Sequence, residues 1–160
     1  MWPRQEPEIQ LVEIGRLTED DLPCLAELYR EFWGEGSSLE LMRVTFRRLA
    51  TNPNYIFLIA KIDGYVAGSV MGIVCDELYG ECKPFMLVED VIVGKDFRRK
   101  GIGTVLMRRL EDHAAERKCN YIIFVTERER TEAHQFYKSL GYELDAYKGF
   151  KKRLATIVHA

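Results

Sequence analysis

The segment from Arg98 to Thr104, Arg-Arg-Lys-Gly-Ile-Gly-Thr, places three basic side chains and two glycines just before a predicted helix. Gly101 and Gly103 have no Cβ, so a ligand can approach their backbone closely. The first N–H groups of a helix lack intrahelical acceptors, and the helix dipole makes that end attractive to anions. The segment therefore predicts a diphosphate-binding site, although a tight glycine turn with solvated basic residues would have the same composition.

Two other phosphate-binding loops can be compared with this segment. The chain contains no G-x-x-x-x-G-K-[ST] string, which excludes a P-loop. The dinucleotide fingerprint G-x-G-x-x-G has Leu106 in place of its third glycine, although Glu127 follows the next predicted strand, where a ribose-binding acid stands in such folds. A nicotinamide or other nucleotide enzyme is therefore an alternative that the flanking hairpins disfavour.

Glu89 and Asp90 interrupt an apolar run that predicts a central strand. Burying a carboxylate there is unfavourable unless it has a partner or a chemical role. Burial beside a second carboxylate raises a pKa, which suits a group that accepts a proton near neutral pH. Because alternate side chains of a strand face opposite sides, the two acids are expected to serve different sides of the sheet. The alternative is a structural carboxylate bonded to backbone or to Arg.

The elements that position these residues follow from the hydrophobic pattern. Apolar residues at three- and four-residue steps predict helices, and β-branched runs bounded by turn residues predict strands. The predicted helices are 18–33, 38–50, 104–118 and 131–140, and the predicted strands are 55–62, 65–74, 86–93 and 121–126, with a closing pair of strands within 142–154. The third strand, the third helix and the fourth strand form a crossover, which joins parallel strands.

Composition limits the classes of protein that the chain can be. With 160 residues, 47% of them hydrophobic and 30% charged, it suits one compact domain over residues 1–160. No apolar run reaches the roughly 20 residues of a membrane-spanning helix, and the first ten residues lack the apolar core of a signal peptide. We therefore expect a cytoplasmic protein. Cys24, Cys75, Cys82 and Cys119 have no C-x-x-C spacing, so we expect thiols and no metal site.

The net charge of −2 argues against a polybasic surface for nucleic acid or membranes. The charge is unevenly distributed, because residues 1–85 hold 8 Lys or Arg and 14 Asp or Glu, whereas residues 86–160 hold 15 and 11. An acidic half joined to a basic half suits a protein that brings a cationic ligand to an anionic one. Solvated surfaces that differ by chance would produce the same totals.

The stretch from Val88 to Gly103, VEDVIVGKDFRRKGIG, resembles the strand-and-loop motif of the GNAT superfamily, the acyl-CoA-dependent N-acyltransferases. Arg98, Gly101 and Gly103 match its signature [Q/R]-x-x-G-x-[G/A]. A second stretch, AHQFYKSLGY from Ala133 to Tyr142, is similar to the family block A-x-x-F-Y-x-x-x-G-[F/Y]. The two motifs lie in the family's order and at its usual separation, and the order of predicted elements also fits.

The resemblance implies an α/β fold. It would be a single domain with a central mixed, mostly antiparallel sheet, a β-bulge at which two strands splay apart, and helices on both faces. The implied activity is N-acetyl transfer from acetyl-CoA to a primary amine, directly in a ternary complex and without a metal. The alternative on the same fold is a catalytically silent acyl-CoA-binding regulatory module.

The resemblance also implies site residues. Glu89 stands where family members often carry a glutamate that accepts the amine proton, directly or through water. Tyr137 corresponds to the tyrosine that protonates the departing coenzyme A thiolate, although it also lies on an apolar helix stripe that a core would explain. The backbone positions expected for the pantetheine arm are Val91, Ile92 and Val93, and those expected for the diphosphate are Arg98, Arg99, Lys100, Gly101, Ile102, Gly103 and Thr104.

Arg130 departs from the family pattern, because many relatives carry Asn there to contact the cofactor. An Arg could contact a phosphate instead or be solvated. The acceptor is expected to be a small-molecule or peptide amine, bound by the N-terminal helices and the loop 76–84. Acidic and aromatic candidates for this site are Trp33, Glu35, Tyr79 and Glu81. Nucleic acid and membranes are not expected partners; homodimers are common in the family, but no residue here indicates one.

Overall fold

The computed structural model of the chain describes residues 11–154. The chain divides into two compact units, one ending at Phe124 and one beginning at Val125. The first contains strands β1 (Val12–Arg16), β2 (Tyr55–Ile62), β3 (Tyr65–Cys75), β4 (Phe85–Val93) and β5 (Ile122–Ile123), and helices α1 (Leu22–Trp33), α2 (Leu39–Ala50) and α3 (Ile102–Glu116). The second contains helix α4 (Thr131–Ser139).

The five strands form one sheet in the order of the chain, from β1 to β5. Neighbouring strands are antiparallel except β4 and β5, which are parallel and are connected through α3. Asp63 and Gly64 join β2 to β3 with positive φ angles of 50° and 80°, as in a type I′ hairpin turn. The mixed, mostly antiparallel sheet expected from the sequence is confirmed.

The pairing register of β3 and β4 shifts near the middle of the sheet. Between the pairs Met71–Glu89 and Ser69–Ile92, β4 has one residue more than β3. The extra residue forms a β-bulge at Asp90, whose φ of +55° lies in the left-handed region that few residues other than glycine adopt. A bulge locally increases strand twist, so β4 changes direction at this position.

β4 and β5 are in contact for a short distance only. They pair at Met86 and Leu87. Beyond Leu87, no strand of residues 11–154 pairs with that side of β4. The strands therefore splay apart towards the C-terminal end of β4, and backbone groups on this side are left without a sheet partner.

Helices cover both faces of the sheet. Leu25 of α1 packs with Ile59 and Ile92 in one buried cluster. On the opposite face, glycine in β3 allows α3 to approach closely, since a Cβ on Gly72 would lie 2.7 Å from Leu110 Cδ1. Packing of α1 on one face and α3 on the other therefore fixes the positions of β3 and β4.

In the second unit, α4 ends in a Schellman motif. Gly141 has φ +95°, its N–H donates to Lys138 O at 3.0 Å, and Tyr142 N–H donates to Tyr137 O at 3.1 Å. The ring of Tyr142 lies 6.1 Å from that of Tyr137, the contact that usually accompanies this motif. The C-terminal cap thus holds the side chain of Tyr137 against the end of its own helix.

Several predicted boundaries differ from the structure. The short strand β1 was not predicted, because five residues that include Gly15 give a weak local signal and the strand depends on its pairing with β2. The predicted strand 121–126 is reduced to Ile122–Ile123. The predicted closing strands are wrong, since residues 142–154 contain no strand and Tyr147 and Phe150 are 77% and 95% exposed. Without a buried face, alternating apolar residues do not stabilise a strand.

Candidate active site

The chain turns sharply between β4 and α3. Arg99 and Gly101 both have left-handed backbone conformations, with φ of +63° and +79°. Gly101 is the N-cap of α3, and a Cβ built on it would meet no atom within 4 Å. Glycine is therefore favoured here by backbone conformation, and the space beside it is open to a ligand.

The amide groups at the start of α3 are the candidate anion-binding groups. α3 begins at Ile102, two residues before the predicted start, and Val105 N–H donates to Gly101 O at 3.1 Å. The N–H groups of Ile102, Gly103 and Thr104 precede this bond, so helix geometry provides them with no acceptor inside the helix. They lie at the positive end of the helix dipole, which suits a diphosphate.

The three basic side chains of the loop are exposed but make different contacts. Arg98 Nε donates to Val93 O at 3.1 Å, which fastens the loop to the end of β4. Lys100 Nζ lies 5.6 Å from the centre of the Phe97 ring, within cation–π range. Arg98 therefore stabilises the loop, while Arg99 and Lys100 add positive charge next to the start of α3.

Backbone groups at the end of β4 alternate between the sheet and the open edge. Gly94 N–H donates to Ala67 O at 2.9 Å, so Gly94 and, by alternation, Ile92 direct their backbone groups to β3. Val91 and Val93 direct theirs to the side from which β5 has separated. Of the three positions predicted for the pantetheine arm, the geometry favours Val91 and Val93 over Ile92.

The two carboxylates of β4 lie at the β-bulge. Glu89 pairs with Met71, which lines a pocket together with Tyr29 of α1. The charge of Asp90 acts on the hydroxyl of the same tyrosine. The extra residue of the bulge interrupts the regular alternation of side chains, and the expectation that Glu89 and Asp90 serve different sides of the sheet stays a prediction.

The two acids differ in burial. Glu89 is exposed, whereas Asp90 is partly buried. Burial raises the pKa of Asp90 above its ordinary value of 3.8, and the negative charge of Glu89 raises it further. The burial expected for Glu89 from the apolar character of β4 therefore applies to Asp90, and Glu89 is accessible to water.

A small pocket lies between α1 and the centre of the sheet, next to the bulge. Its lining is mainly apolar and consists of Leu17, Leu25, Tyr29, Phe57, Leu58, Ile59, Ser69, Val70 and Met71. Burial raises the pKa of the Tyr29 hydroxyl far above its ordinary range, the charge of Asp90 raises it further, and the Ser69 hydroxyl partly opposes both. The phenol is therefore protonated at neutral pH.

Ser69 is the second polar side chain of this pocket. It is 4% exposed, and within residues 11–154 its Oγ makes no hydrogen bond of standard geometry. Buried hydroxyls are normally paired, because an unpaired one loses its hydrogen bonds to water without replacement. The effect of Ser69 on the pKa of Tyr29 identifies the Tyr29 hydroxyl as the neighbouring polar group in the pocket.

In the second unit, Tyr137 is 6% exposed within α4. Burial raises the pKa of its hydroxyl, and the positive charge of Arg130 at the start of the helix lowers it in part. A phenol that stays protonated at neutral pH can act as a proton donor. Tyr137 is thus present in a form compatible with its predicted role, which stays a prediction.

The sequence profile of the acetyltransferase (GNAT) family matches residues 22–142. The chain belongs to the GNAT family. The protein is an acyltransferase, as predicted from its two motifs. It is 26% identical over 142 residues to YhfO of Bacillus subtilis, named as an uncharacterized N-acetyltransferase, in an alignment that covers 84% of this chain and 91% of the relative.

Two solved GNAT structures illustrate the similarity of fold. Glucosamine-6-phosphate N-acetyltransferase from Arabidopsis thaliana superposes with a TM-score of 0.80 at 20% identity, covering 89% of this chain and 99% of that one. The aminoglycoside N-acetyltransferase AAC(6')-Iy, solved in complex with CoA, gives a TM-score of 0.77 at 18% identity, covering 94% and 99%. These similarities confirm the predicted α/β fold with helices on both faces.

The residues predicted to bind the acceptor in this GNAT protein are at different places in the structure. Trp33 is half-exposed, and its ring centre lies 5.1 Å from that of Tyr29, which connects it to the pocket. Glu35 is exposed in the turn after α1. Tyr79 and Glu81 are exposed in the loop between β3 and β4, where Glu81 forms an ion pair with Lys83.

Three polar residues of the candidate site were missing from the sequence prediction. Glu31 Oε1 accepts a hydrogen bond from Lys95 N–H at 2.6 Å and so ties α1 to the start of the loop. Tyr29 lies within the predicted helix 18–33, where an aromatic residue fits the apolar pattern of a core. Ser69 is a polar residue within the apolar strand β3. A polar residue in an apolar strand is the pattern that singled out Glu89, so the sequence could have identified Ser69 as well.

Some classes of site are not present in the part of the chain that the structure describes. No group of three or more His, Cys, Asp or Glu side chains within residues 11–154 is placed to hold a metal ion. In the same residues, no helix has both the length and the apolar character needed to cross a membrane. Cys24, Cys75, Cys82 and Cys119 are free thiols.

Proposed function

We propose that this GNAT protein transfers an acetyl group from acetyl-CoA to a primary amine, directly and within a ternary complex. The observation that carries the proposal is the start of α3, where the left-handed Gly101 and the open amides of Ile102 to Thr104 follow the splayed end of β4. The family profile covers parts of both units, which supports the proposal that residues 1–160 act as one domain.

Acetyl-CoA fits these groups by its chemistry. Its diphosphate carries negative charge that the amides of Ile102, Gly103 and Thr104 can bind, with Arg99 and Lys100 providing further positive charge. Its pantetheine arm carries amides that can bond to the backbone groups that Val91 and Val93 direct to the open edge of β4, apart from Val93 O, which accepts from Arg98. Arg130 is proposed as an additional phosphate contact.

The reaction requires two proton transfers. An alkylammonium has a pKa near 10.4, so a proton must leave before the nitrogen attacks the thioester carbonyl. We assign this proton to Glu89, which is exposed and can accept it directly or through water. As the C–N bond forms and the C–S bond breaks, coenzyme A leaves as a thiolate, and Tyr137 is proposed to donate a proton to its sulfur.

Thiol release from acetyl-CoA across a panel of amines tests the proposal. Amino acids, polyamines, aminoglycosides and peptides with free N-termini represent the acceptor classes that a primary-amine site can admit. We expect thiol release with at least one amine, and a Glu89→Gln variant is expected to lower kcat by about 100-fold, since general base catalysis contributes on the order of 100-fold or more. Glu111→Gln, on the outer helix α3, provides a matched control with the same chemical change.

Two results would contradict the proposal. If acetyl-CoA binds but no amine releases thiol, the protein is a silent acyl-CoA-binding module. If NAD raises the unfolding temperature and acetyl-CoA does not, the loop before α3 serves a different nucleotide. Thermal-shift titration with both ligands separates these outcomes from the proposed activity.

A further inference from the structure

Helix α2 packs against the rest of its unit on one side only. Met42 and Phe46 are partly buried and, with Leu39, contact the core cluster that contains Leu25. None of the twelve residues of α2 is fully buried, whereas α1, a helix of the same length, has three buried leucines. The side of α2 opposite this contact is therefore an outward face.

The outward face of α2 has apolar side chains at its centre. Leu41 and Val44 are 66% and 60% exposed, and a spacing of three residues makes them neighbours on the helix surface. Since a helix has 3.6 residues in each turn, Val44 lies about 160° around the axis from both Met42 and Phe46. The helix thus has a second apolar side, directly opposite the packed one, that stays largely uncovered within residues 11–154.

Charged residues lie about one turn from Val44 in both directions along the helix. Glu40 is four residues before it and Arg48 is four residues after it, and both are exposed. Within residues 11–154 neither forms an ion pair, whereas the neighbouring Arg47 is held by Glu19 through two hydrogen bonds, at 2.9 and 2.5 Å. The outward face therefore has an acid at one end and a base at the other, both available to a partner.

We infer that Glu40, Leu41, Val44 and Arg48 form a homodimer interface in which the α2 helices of two copies pack antiparallel. A two-fold axis at Val44 brings Glu40 of each copy to the level of Arg48 of the other. The same axis joins the two Val44 side chains and places Leu41 beside the aliphatic part of Arg48 of the other copy. Because a two-fold interface must match itself, this charge pattern favours a second copy over a different partner. The inference is independent of the proposed acetyl transfer.

The helix dipole is a competing explanation for the two charges. Glu40 in the first turn and Arg48 in the last turn each stabilise α2 without any partner. The dipole does not account for the exposure of Leu41 and Val44, but the experiment must separate the two explanations. Two single helices bury less than the roughly 1,200 Å² of a standard interface, so we expect a weak dimer that forms at high protein concentration.

Charge reversal on α2 tests the interface. Sedimentation of the full-length protein is measured from about 10 µM to about 1 mM, a range suited to a weak interface, and we expect the wild type to shift from monomer to dimer. Glu40→Arg and Arg48→Glu should each raise the dissociation constant at least about tenfold, because each puts like charges opposite one another at both ends of the interface. An equimolar mixture of the two variants should dimerise again, since each chain supplies the charge that the other lacks.

The combined variant Glu40→Arg and Arg48→Glu separates the interface from the helix dipole. It opposes the dipole but restores opposite charges across the two-fold axis, so we expect it to dimerise while circular dichroism checks its helix content. Asp112→Arg and Arg109→Glu, on the exposed surface of α3, are the matched controls and should dimerise as the wild type does.

Three results would overturn the inference. The first is a wild type that stays monomeric over the whole concentration range. The second is a dimer that neither single charge reversal weakens, since its interface would then lie elsewhere on the protein. The third is a mixture of the two single variants that stays monomeric, because the loss in each variant would then not come from charge pairing between copies.

Discussion

Asp90 is unfavourable for stability in three respects: it is partly buried, it lies beside another carboxylate, and its φ is positive. The sequence identified it only as one of two acids in an apolar strand. Its burial depends on the bulge, which exposes Glu89 and places Asp90 near α1. Residues at functional sites are often less stable than a substitute would be, because function and stability place different demands on the same position.

Asp90→Asn is therefore expected to stabilise the protein. Because the pKa of Asp90 is raised by folding, its ionised form lowers the free energy of unfolding, and this effect is absent below the ordinary pKa of 3.8, where the group is protonated in both states. Asn tolerates the left-handed backbone. Urea unfolding at neutral pH should show a higher free energy of unfolding for Asp90→Asn than for the wild type. A gain that persists at pH about 3 contradicts this explanation, because the charge is then absent.

Tyr137 is a candidate proton donor whose ring also contributes to packing. Tyr137→Phe retains the ring and removes only the hydroxyl, so we expect kcat to fall about 10- to 100-fold with little change in the KM for acetyl-CoA. The loss should be greater below neutral pH than above pH ~8.5, where the thiolate is a stable leaving group. Tyr142→Phe, in the C-cap of the same helix, is the control. Full turnover in Tyr137→Phe removes the residue from the mechanism.

The start of α3 determines where an anion can bind. Gly101 has a positive φ and open space around its Cα, so its conformation and not its size matters. Glu31 fixes the beginning of the loop through Lys95 N–H, and Arg98 fixes its middle through Val93 O. These bonds come from two different elements, α1 and β4, so the loop is positioned before the ligand arrives.

Gly101→Ala is expected to lower the free energy of unfolding by about 1 kcal/mol, because an L residue is strained in the left-handed region. Coenzyme A binding should weaken about tenfold, since relief of the strain would rotate the amides of α3 away from the anion. Calorimetric titration and thermal unfolding measure the two effects. Gly36→Ala is the control, because a Cβ there meets no atom within 4 Å and its φ is not positive. Wild-type affinity in Gly101→Ala would falsify the assigned role.

Opposite charges are separated along the molecule. The acids Glu89 and Asp90 lie at the bulge, and the basic loop that contains Arg99 and Lys100 follows the end of the same strand. A cationic acceptor and an anionic donor can therefore approach β4 at different positions. All four residues belong to residues 86–160, so this separation of charge is local to β4 and its loop and is distinct from the difference in charge between the two halves of the sequence.

Coenzyme A affinity is accordingly expected to depend on salt. Raising the ionic strength from about 0.05 M to about 0.5 M should weaken binding several-fold, because screening acts on exposed charges. The combined Arg99→Ala and Lys100→Ala variant should bind more weakly at low salt and respond less to added salt. Arg48→Ala, on the outer helix α2, should retain the wild-type response. An unchanged salt response in the double variant indicates that the loop side chains do not contact the phosphates.

Features that depend on neighbours in the chain were predicted well. The glycine-rich loop, the hairpin turn at Asp63-Gly64 and the helices followed from local backbone preferences and from apolar periodicity, which act over a few residues. Membership of the family was also predicted correctly, because each of the two motifs is a contiguous segment of the sequence. Boundaries were less accurate where pairing partners decide them, as in β1 and in residues 142–154.

The sequence by itself determined that two acids interrupt an apolar strand, and it predicted an anion site after that strand. The tertiary structure alone decided which acid is buried, because a bulge is a mismatch between two strands and neither strand encodes it separately. Pairing of β3 with β4 and packing of α1 then brought Tyr29 and Ser69 into one pocket next to the bulge. Contacts between residues distant in the chain depend on register and packing, and these are properties of the folded molecule.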